Sequence, residues 1–276
     1  MAMRNPIRTV VVAAGCLAAF LVPAAAVSAQ TAPVGAALRP HLYWAKNGGT
    51  ITRASLKGTG VRRLVTHQDG PVGVAVGNGH LYWADNNSGT IMAANLDGTG
   101  VTTLVTGQAE PTGVAASGGH LYWADYSGTI MAANLDGTGV TTLVTGQDGP
   151  VGVAVSSSQL YWADNGGGTI MAANLDGTGV TTLVTGQNSP TGVAVNSSHI
   201  FWADYSADTI KRANLAGTGV TTLVSGQTGP VGLALKGRHI YWANLGGGTI
   251  VAASLAGTGV TTLVSGQPLP EGIAVG

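Results

Sequence analysis

The segment Pro71–Thr106 reads PVGVAVGNGHLYWADNNSGTIMAANLDGTGVTTLVT, and its pattern decides the fold. It contains four apolar runs that are rich in β-branched or aromatic side chains. Gly, Asn and Asp separate the runs, and these residues favour tight turns between strands. No run has the length or the 3.6-residue periodicity of an amphipathic helix. The segment therefore predicts four antiparallel strands joined by short turns.

The same unit occurs six times, and one tryptophan marks each copy: Trp44, Trp83, Trp123, Trp162, Trp202 and Trp242. The intervals between them are 39 or 40 residues, which is a period typical of propeller blades. One blade cannot bury both of its faces, whereas six blades in a ring cover one another. We therefore predict an all-β, six-bladed propeller over residues 30–276, with the tryptophans packed between blades. An open β-solenoid, which needs polar end caps, is the alternative.

Closure of the ring is predicted from the strand that begins each unit with the pattern Pro-x-Gly. This pattern occurs seven times for six blades, so one copy is spare: Pro33, Pro71, Pro111, Pro150, Pro190, Pro230 and Pro270. Either Pro33–Leu38 or Pro270–Val275 completes the first blade. We favour Pro270–Val275 because the sequence stops where that strand would end, although the short Arg39-Pro40 turn favours the other segment.

The first 29 residues have the composition of a secretory signal peptide. Arg4 and Arg8 precede an apolar run over residues 10–21, which is too short to span a bilayer. Small residues follow, and we predict cleavage after about Ala29. The protein is therefore expected to be secreted or extracytoplasmic, with a buried N-terminal helix as the alternative. Lipidation of Cys16, the only cysteine, stays open.

Charge excludes some classes of partner. The chain has twelve Lys or Arg and twelve Asp or Glu residues, which argues against nucleic acid or an anionic membrane held by bulk charge. We also predict no membrane span after the leader. The basic residues cluster at 39–63 and 211–238, while acidic residues fill the segment from Asp69 to Asp176. A closed ring would thus have an acidic half and a basic half, which either orients a partner or reflects drift among duplicated copies.

The candidate ligand-binding residues are six acids expected near one face of the ring: Asp85, Asp125, Asp164, Asp204, Glu110 and Glu271. The four aspartates each end the second strand of a unit. They form either a ring of cation ligands or a set of acceptors that each lock one loop through backbone N–H groups. Their wide symmetric spacing favours the second interpretation. The two glutamates flank a Pro-x-Gly proline, so either could face a central channel.

No motif for catalysis, a metal or a cofactor is recognised in the sequence. It has no evident Ser/His/Asp arrangement, phosphate-binding glycine loop or HExxH motif. Five of the six histidines occupy one repeat position, where a structural role is more natural than a catalytic one: His41, His80, His120, His199 and His239. The recurring glutamines are also predicted to be structural, as loop hydrogen-bonding groups: Gln68, Gln108, Gln147, Gln187, Gln227 and Gln267.

The run from His80 to Asp85, followed by Leu96-Asp97-Gly98 and Pro111-x-Gly113, resembles the class B (YWTD) repeat of low-density-lipoprotein receptors. The resemblance covers about residues 33–275 and implies a six-bladed propeller used as a binding or scaffold module. The sequence departs from the family, because Ala follows each Trp in place of Thr and because Lys46 and Asn244 replace Asp. It also contains no cysteine-rich module, so lipoprotein uptake is not implied.

These observations predict a secreted, non-enzymatic protein that binds a protein, glycan or small ligand on a loop face. Three 19-residue stretches are identical, and near-identical blades leave little room for a specialised pocket. The alternative is a propeller enzyme of the lyase or lactonase type, with a metal or acid/base site at the channel mouth. Convergence of two or more of Glu110, Glu271, Asp204 and Asp208 with shifted pKa values would favour the enzyme.

Overall fold

The computed structural model describes residues 39–276, which contain 24 β-strands and no helix. The strands form six sheets of four antiparallel strands each, as the sequence predicts. Blade 1 contains β1 (His41–Lys46), β2 (Thr50–Ser55) and β3 (Arg62–Val65), together with the last strand of the chain. The leader, Cys16 and Pro33–Leu38 lie outside the described residues.

The other blades are each continuous in sequence, and their bounds show the same repeating unit. Blades 2 and 3 are β4 (Pro71–Gly77), β5 (His80–Asp85), β6 (Thr90–Asn95) and β7 (Thr102–Val105), then β8 (Pro111–Ser117), β9 (His120–Asp125), β10 (Thr129–Asn134) and β11 (Thr141–Val144). Blades 4 and 5 are β12 (Pro150–Val155), β13 (Gln159–Asp164), β14 (Thr169–Asn174) and β15 (Thr181–Val184), then β16 (Pro190–Val195), β17 (His199–Asp204), β18 (Thr209–Asn214) and β19 (Thr221–Val224). Blade 6 is β20 (Pro230–Lys236), β21 (His239–Asn244), β22 (Thr249–Ser254) and β23 (Thr261–Val264), and the chain ends with β24 (Pro270–Val275).

Strand β24 closes the ring, as the sequence analysis favours. It pairs antiparallel with β1, with Leu42 opposite Val275 and Trp44 opposite Ile273. It also packs between the first strands of blades 6 and 2, so the first strands form an unbroken circle. An open solenoid would leave its two ends apart, and that alternative is therefore wrong.

The hydrophobic core lies between blades. At the junction of blades 2 and 3, Tyr82, Ala84 and Ile91 of blade 2 pack with Leu121 and Trp123 of blade 3. Equivalent clusters occupy the five other junctions. All six tryptophans are fully buried, which confirms that they are the large packing units between neighbours. Burial of apolar surface between sheets therefore holds the ring together.

Glycines in the first strands let the blades approach the central axis. A Cβ added to Gly73 would collide with the backbone carbonyl of Thr112 in the next blade, and one added to Gly272 would meet that of Val72. The same close approach recurs at each junction around the ring. Only a residue without a side chain fits at such a distance, so the glycines set the width of the channel.

The disc has two faces, which we name by their loops. The upper face carries the loops from second to third strand, such as 86–89, and the loops between blades, such as 106–110. The lower face carries the loops from first to second strand, such as 78–79, and the hairpins from third to fourth strand, such as 96–101. Within residues 39–276 no helix has the length and apolar character needed to cross a membrane.

Candidate functional site

The repeat aspartates lie at the upper face, where the second strand of each blade ends. Asp85, Asp125 and Asp164 are buried, and Asp204 has no exposed surface. Three of them visibly accept a backbone N–H from the loop that precedes their blade: Asp69 N–H to Asp85 Oδ2 at 3.4 Å, Ala109 N–H to Asp125 Oδ2 at 3.3 Å and Asn188 N–H to Asp204 Oδ1 at 2.7 Å. In these three blades the carboxylate is thus hydrogen-bonded to the loop that precedes its blade, which is the arrangement that the second interpretation expects.

Burial disfavours the charged form of these carboxylates. It raises the pKa of Asp85 and of Asp125 to about 6, and it also raises the pKa of Asp164. The backbone N–H groups oppose this shift because they stabilise the charged form. In all three residues Oδ1 has no hydrogen-bond partner among the described residues. These carboxylates therefore sit behind the surface, and contact between them and a ligand stays a prediction.

A second contact ties each loop to a tryptophan. Trp123 Nε1–H donates to Gln108 Oε1 at 3.0 Å, and the glutamine Nε2 donates in turn to the Thr106 carbonyl. The same Trp–Gln bond, 2.9–3.1 Å long, occurs in blades 2, 4, 5 and 6. The predicted structural role of the repeat glutamines is confirmed, because they satisfy the buried indole N–H.

Blade 1 departs from this pattern. Trp44 Nε1 and Gln267 Oε1 are buried and have no partner among the described residues. Lys46 is buried at the position of Asp125, and burial, aided by the charge of Arg63, lowers the pKa of its ammonium. Blade 1 thus keeps the packing of the repeat but loses its polar lock.

Blade 5 uses a different lock, which the sequence analysis missed. Lys211 Nζ donates to Asp204 Oδ2 at 2.6 Å and to Gln187 Oε1 at 3.1 Å. Asp204 has both oxygens engaged, since Oδ1 accepts from the backbone. The signal was a single lysine at the repeat position that is Met in blades 2 to 4. Asp204 is therefore part of a buried ion pair.

A cavity of about 180 Å³ lies at the centre of the ring, in its central channel. Its lining at the second position of each first strand is a set of five apolar or hydroxyl side chains and one carboxylate: Val72, Thr112, Val151, Thr191, Val231 and Glu271. The hydroxyls of Thr112 and Thr191 donate to backbone carbonyls of the wall. Glu271 is thus the one acidic side chain in this lining.

The two glutamates are separated by the structure. Glu271 faces the channel as predicted, near the upper mouth, where Asn47 Nδ2 lies 3.5 Å from its Oε1. Burial raises the pKa of Glu271 to about 7. Glu110 is exposed and adopts a positive φ of 60° in the loop before blade 3. Asp208 is also exposed, and its Oδ1 accepts the Gly229 N–H at 2.9 Å.

Of the four acids whose convergence would favour an enzyme, Glu110 is exposed and the other three have different partners. Glu271 contacts Asn47, Asp204 contacts Lys211, and Asp208 contacts a loop backbone. Among residues 39–276, no group of three or more His, Cys, Asp or Glu side chains is placed to hold a metal ion. The five repeat histidines lie at the lower ends of their strands, each stacked at a tilt against the aromatic ring two residues on.

Three large exposed side chains project from the upper-face loops, and the sequence analysis missed them: Tyr126, Tyr205 and Leu269. Tyr126 and Tyr205 occupy the loop position filled by Asn86 and Asn165 in other blades. Those asparagines donate to a proline carbonyl of the next blade, which a tyrosine at the same place does not do. The signal was the replacement of a polar loop residue by an aromatic one in alternate blades.

Comparison with known proteins supports the fold. A chain of a crystal structure of a nidogen/laminin complex superposes with a TM-score of 0.78 at 24% identity, over 86% of this chain and 98% of that one. A streptogramin B lyase structure superposes with a TM-score of 0.60 at 16% identity, over 83% of this chain and 74% of that one. A virginiamycin B lyase from Staphylococcus aureus superposes with a TM-score of 0.58 at 18% identity, over 71% of this chain and 70% of that one. No protein-family model and no curated protein matches the sequence. At these identities the likeness shows the propeller fold alone, which this chain shares with a chain of a nidogen/laminin complex and with lyases.

Proposed function

We propose that this protein is a secreted, non-catalytic propeller of the low-density-lipoprotein receptor class B type, and that its upper face binds a protein partner. The observation that carries the proposal is the exposure of Tyr126 (44%), Tyr205 (37%) and Leu269 (54%) on that face. Tyrosine and other large side chains are typical anchors of protein interfaces. The leader composition supports export, and the YWTD-like repeats support the family.

The three anchors are spread around the mouth of the channel. Tyr126 belongs to blade 3, Tyr205 to blade 5, and Leu269 to the loop that leads into β24 of blade 1. They therefore stand on alternate blades of the ring, with Glu271 near its centre. A partner seated across the mouth would contact all three at once. Such an arrangement suits a broad, shallow protein surface better than a small ligand.

Glu271 adds a chemical preference to this surface. Because burial raises its pKa to about 7, its charge changes in the physiological range. A Lys or Arg side chain of the partner that enters the mouth would favour the ionised carboxylate. Binding is therefore expected to strengthen as the pH rises from about 6 to about 8. The nidogen/laminin complex offers a precedent for a protein partner of this fold.

The proposal is tested with the purified chain as bait for secreted proteins of the source organism. A partner that wild type captures should be lost from the triple variant Tyr126→Ser/Tyr205→Ser/Leu269→Ser. The matched control is Val140→Ser/Val180→Ser/Val260→Ser, which removes exposed apolar side chains from the lower face and should retain the partner. Equal capture by the two triple variants would reject the upper face as the binding surface.

A lyase is the second candidate, and Glu271 is the observation that favours it. A lone, half-buried carboxylate with a pKa raised to about 7 could act as a general acid or base. Two of the similar structures are a virginiamycin B lyase and a streptogramin B lyase. Virginiamycin B is therefore incubated with the chain, with and without divalent cations, and its loss is followed by chromatography. Turnover that disappears in Glu271→Gln would replace the binding proposal with the enzyme.

A further inference from the structure

The charge asymmetry of the sequence becomes sharper on the lower face. The tip of each hairpin from third to fourth strand carries one variable residue: Lys57 in blade 1, Asp97, Asp136 and Asp176 in blades 2 to 4, and Ala216 and Ala256 in blades 5 and 6. The lysine and the three aspartates are exposed. One half of this face is therefore acidic at its hairpins, while the other half is not.

Further cations complete the basic half of the same face. Lys236 and Arg238 flank the lower loop of blade 6, and both are exposed. Arg212 in blade 5 is half-buried and donates from Nη1 to the Leu255 carbonyl at 3.1 Å. Blades 5, 6 and 1 thus present positive charge where blades 2, 3 and 4 present negative charge.

The three hairpin aspartates are held as charged acceptors. Asp97 Oδ1 accepts from both the hydroxyl and the backbone N–H of Thr99, at 2.6 and 2.9 Å. Asp136 and Asp176 make the same two bonds. These bonds lower the pKa of all three carboxyls. Within the described residues their Oδ2 atoms accept no hydrogen bond, so one oxygen of each stays available to another molecule.

The same hairpins also expose one valine each, so the face is apolar as well as charged. The valines are 42–47% exposed and follow the last glycine of each hairpin: Val61, Val101, Val140, Val180, Val220 and Val260. Single exposed apolar residues need no explanation, but a sixfold ring of them on one face is unusual for a monomer. Because they share one repeat position, a face-to-face overlay about a two-fold axis that bisects the angle between two of these valines brings valine opposite valine.

We propose that the lower face binds the lower face of a second copy of this chain, about a two-fold axis that lies between blades 1 and 2. In a ring of six blades, such an axis exchanges blade 1 with blade 2, blade 6 with blade 3, and blade 5 with blade 4. Every basic blade therefore meets an acidic one. Lys57 faces Asp97 of the second copy, and symmetry makes this pair twice. The proposal concerns the face opposite to the proposed partner site and stands independently of it.

Sedimentation equilibrium of the purified chain tests the salt dependence. Each exposed ion pair is weak, but pairs arranged over a whole face add and are screened together. We expect dimers at about 20 mM NaCl, with a dissociation constant at least about tenfold larger at about 500 mM. A chain that is monomeric at both salt concentrations, or a dimer indifferent to salt, overturns the proposal. So does a monomer that binds heparin through Lys57, because the basic half would then serve another partner.

Charge reversal tests the geometry. Lys57→Asp alone sets like charges opposite each other in the dimer, and Asp97→Lys alone does the same, so each should weaken association about tenfold or more. An equimolar mixture of the two variants forms both attractive pairs and should associate as wild type does. In the control mixture of Lys57→Asp with Asp176→Lys, each heterodimer has one attractive and one repulsive pair at these positions, so the two variants should associate with each other more weakly than in the first mixture. Failure of the first mixture to recover, with melting curves unchanged, rejects this axis.

Discussion

Blades 1 and 3 have the same fold but different polar contacts. In blade 3, Asp125 accepts the Ala109 N–H and Trp123 donates to Gln108. In blade 1, Trp44 Nε1 and Gln267 Oε1 have no hydrogen-bond partner among the described residues, although Trp44 is as fully buried as Trp123. Packing between blades therefore suffices to place the tryptophan, and the hydrogen bonds are an addition that one blade lacks.

The cause of the difference lies one residue after the glutamine. The residue equivalent to Ala109 is Pro268 in the loop that leads to β24. Proline has no backbone N–H, so an aspartate at position 46 would be buried without its donor. A lysine stands there instead. The loop before β24 is thus the one loop between blades that has no backbone N–H at the position equivalent to Ala109. It therefore cannot form the hydrogen bond that Asp125 accepts in blade 3.

The largest effect is expected from removing the closing strand. A chain that ends at Leu269 loses β24 and uncovers Leu42 and Trp44 of blade 1. Because every blade is buried by its neighbours, an open ring should lose its cooperative thermal transition, or melt far lower. A chain that begins at Arg39 lacks the alternative segment Pro33–Leu38 and should melt as wild type does. The reverse result would assign closure to that segment.

The next prediction compares the two tryptophans directly. Trp123→Phe leaves Gln108 Oε1 buried without its donor, and we expect a loss of about 2–3 kcal/mol in the free energy of unfolding. Trp44→Phe removes an indole N–H that already lacks a partner, so its loss should be at least about 1 kcal/mol smaller. Urea denaturation of both variants measures the difference. Equal losses would mean that blade 1 does satisfy Trp44.

The role of Pro268 is tested by a double-mutant cycle. Lys46→Asp places a carboxylate where blade 1 offers no backbone donor, and should destabilise the fold by about 1–3 kcal/mol. Lys46→Asp/Pro268→Ala restores the N–H found in blade 3. We expect it to recover about 1 kcal/mol beyond the sum of the single changes. Strict additivity would show that the proline is not the reason for the lysine.

The sequence predicted the fold in detail because the fold depends on repetition. The tryptophan period gave the number of blades, and the seventh Pro-x-Gly segment left two candidates for the closing strand, of which the favoured one is β24. Both Glu110 and Glu271 flank a Pro-x-Gly proline and were candidates for the channel, and of the two only Glu271 lines it. These features follow from positions within one repeat and need no knowledge of how blades face each other.

The missed features depend on contacts between side chains of neighbouring strands and on how far loop residues reach. The Lys211–Asp204 ion pair joins two strands of blade 5 and was hidden because the lysine occupies a Met position. Exposure of Tyr126 depends on whether a loop residue reaches the next blade, as Asn86 does to Pro111. Aromatic residues in a β-rich sequence are expected to be buried, so the composition gave no indication that Tyr126 is exposed.

The smallest effect is the pH dependence that a buried aspartate at this repeat position gives to blade 3. Burial raises the pKa of Asp125 from 3.8 to about 6, so the folded state holds this proton more tightly than the unfolded chain. The free-energy cost of burying the charged carboxylate is absent below pH 3.8 and fully present above about pH 6. The stability of the fold therefore falls as the pH rises between these values. Asp125→Asn removes the penalty and should gain on the order of 1 kcal/mol at pH 7.5, allowing for solvent screening. Asn244 shows that the repeat accepts this side chain, since its Nδ2 donates to Gln227 at 3.2 Å.

The control for this titration has the opposite sign. Hydrogen bonds from Thr138 lower the pKa of the exposed Asp136, so its contribution is favourable at neutral pH and is lost as the pH falls. Asp136→Asn should therefore destabilise the fold slightly at pH 7.5, whereas Asp125→Asn stabilises it. Thermal melts of both variants between about pH 4 and 8 separate the two cases. If the melting temperatures of both variants shift in the same direction relative to wild type, burial is not what distinguishes Asp125 from the exposed Asp136.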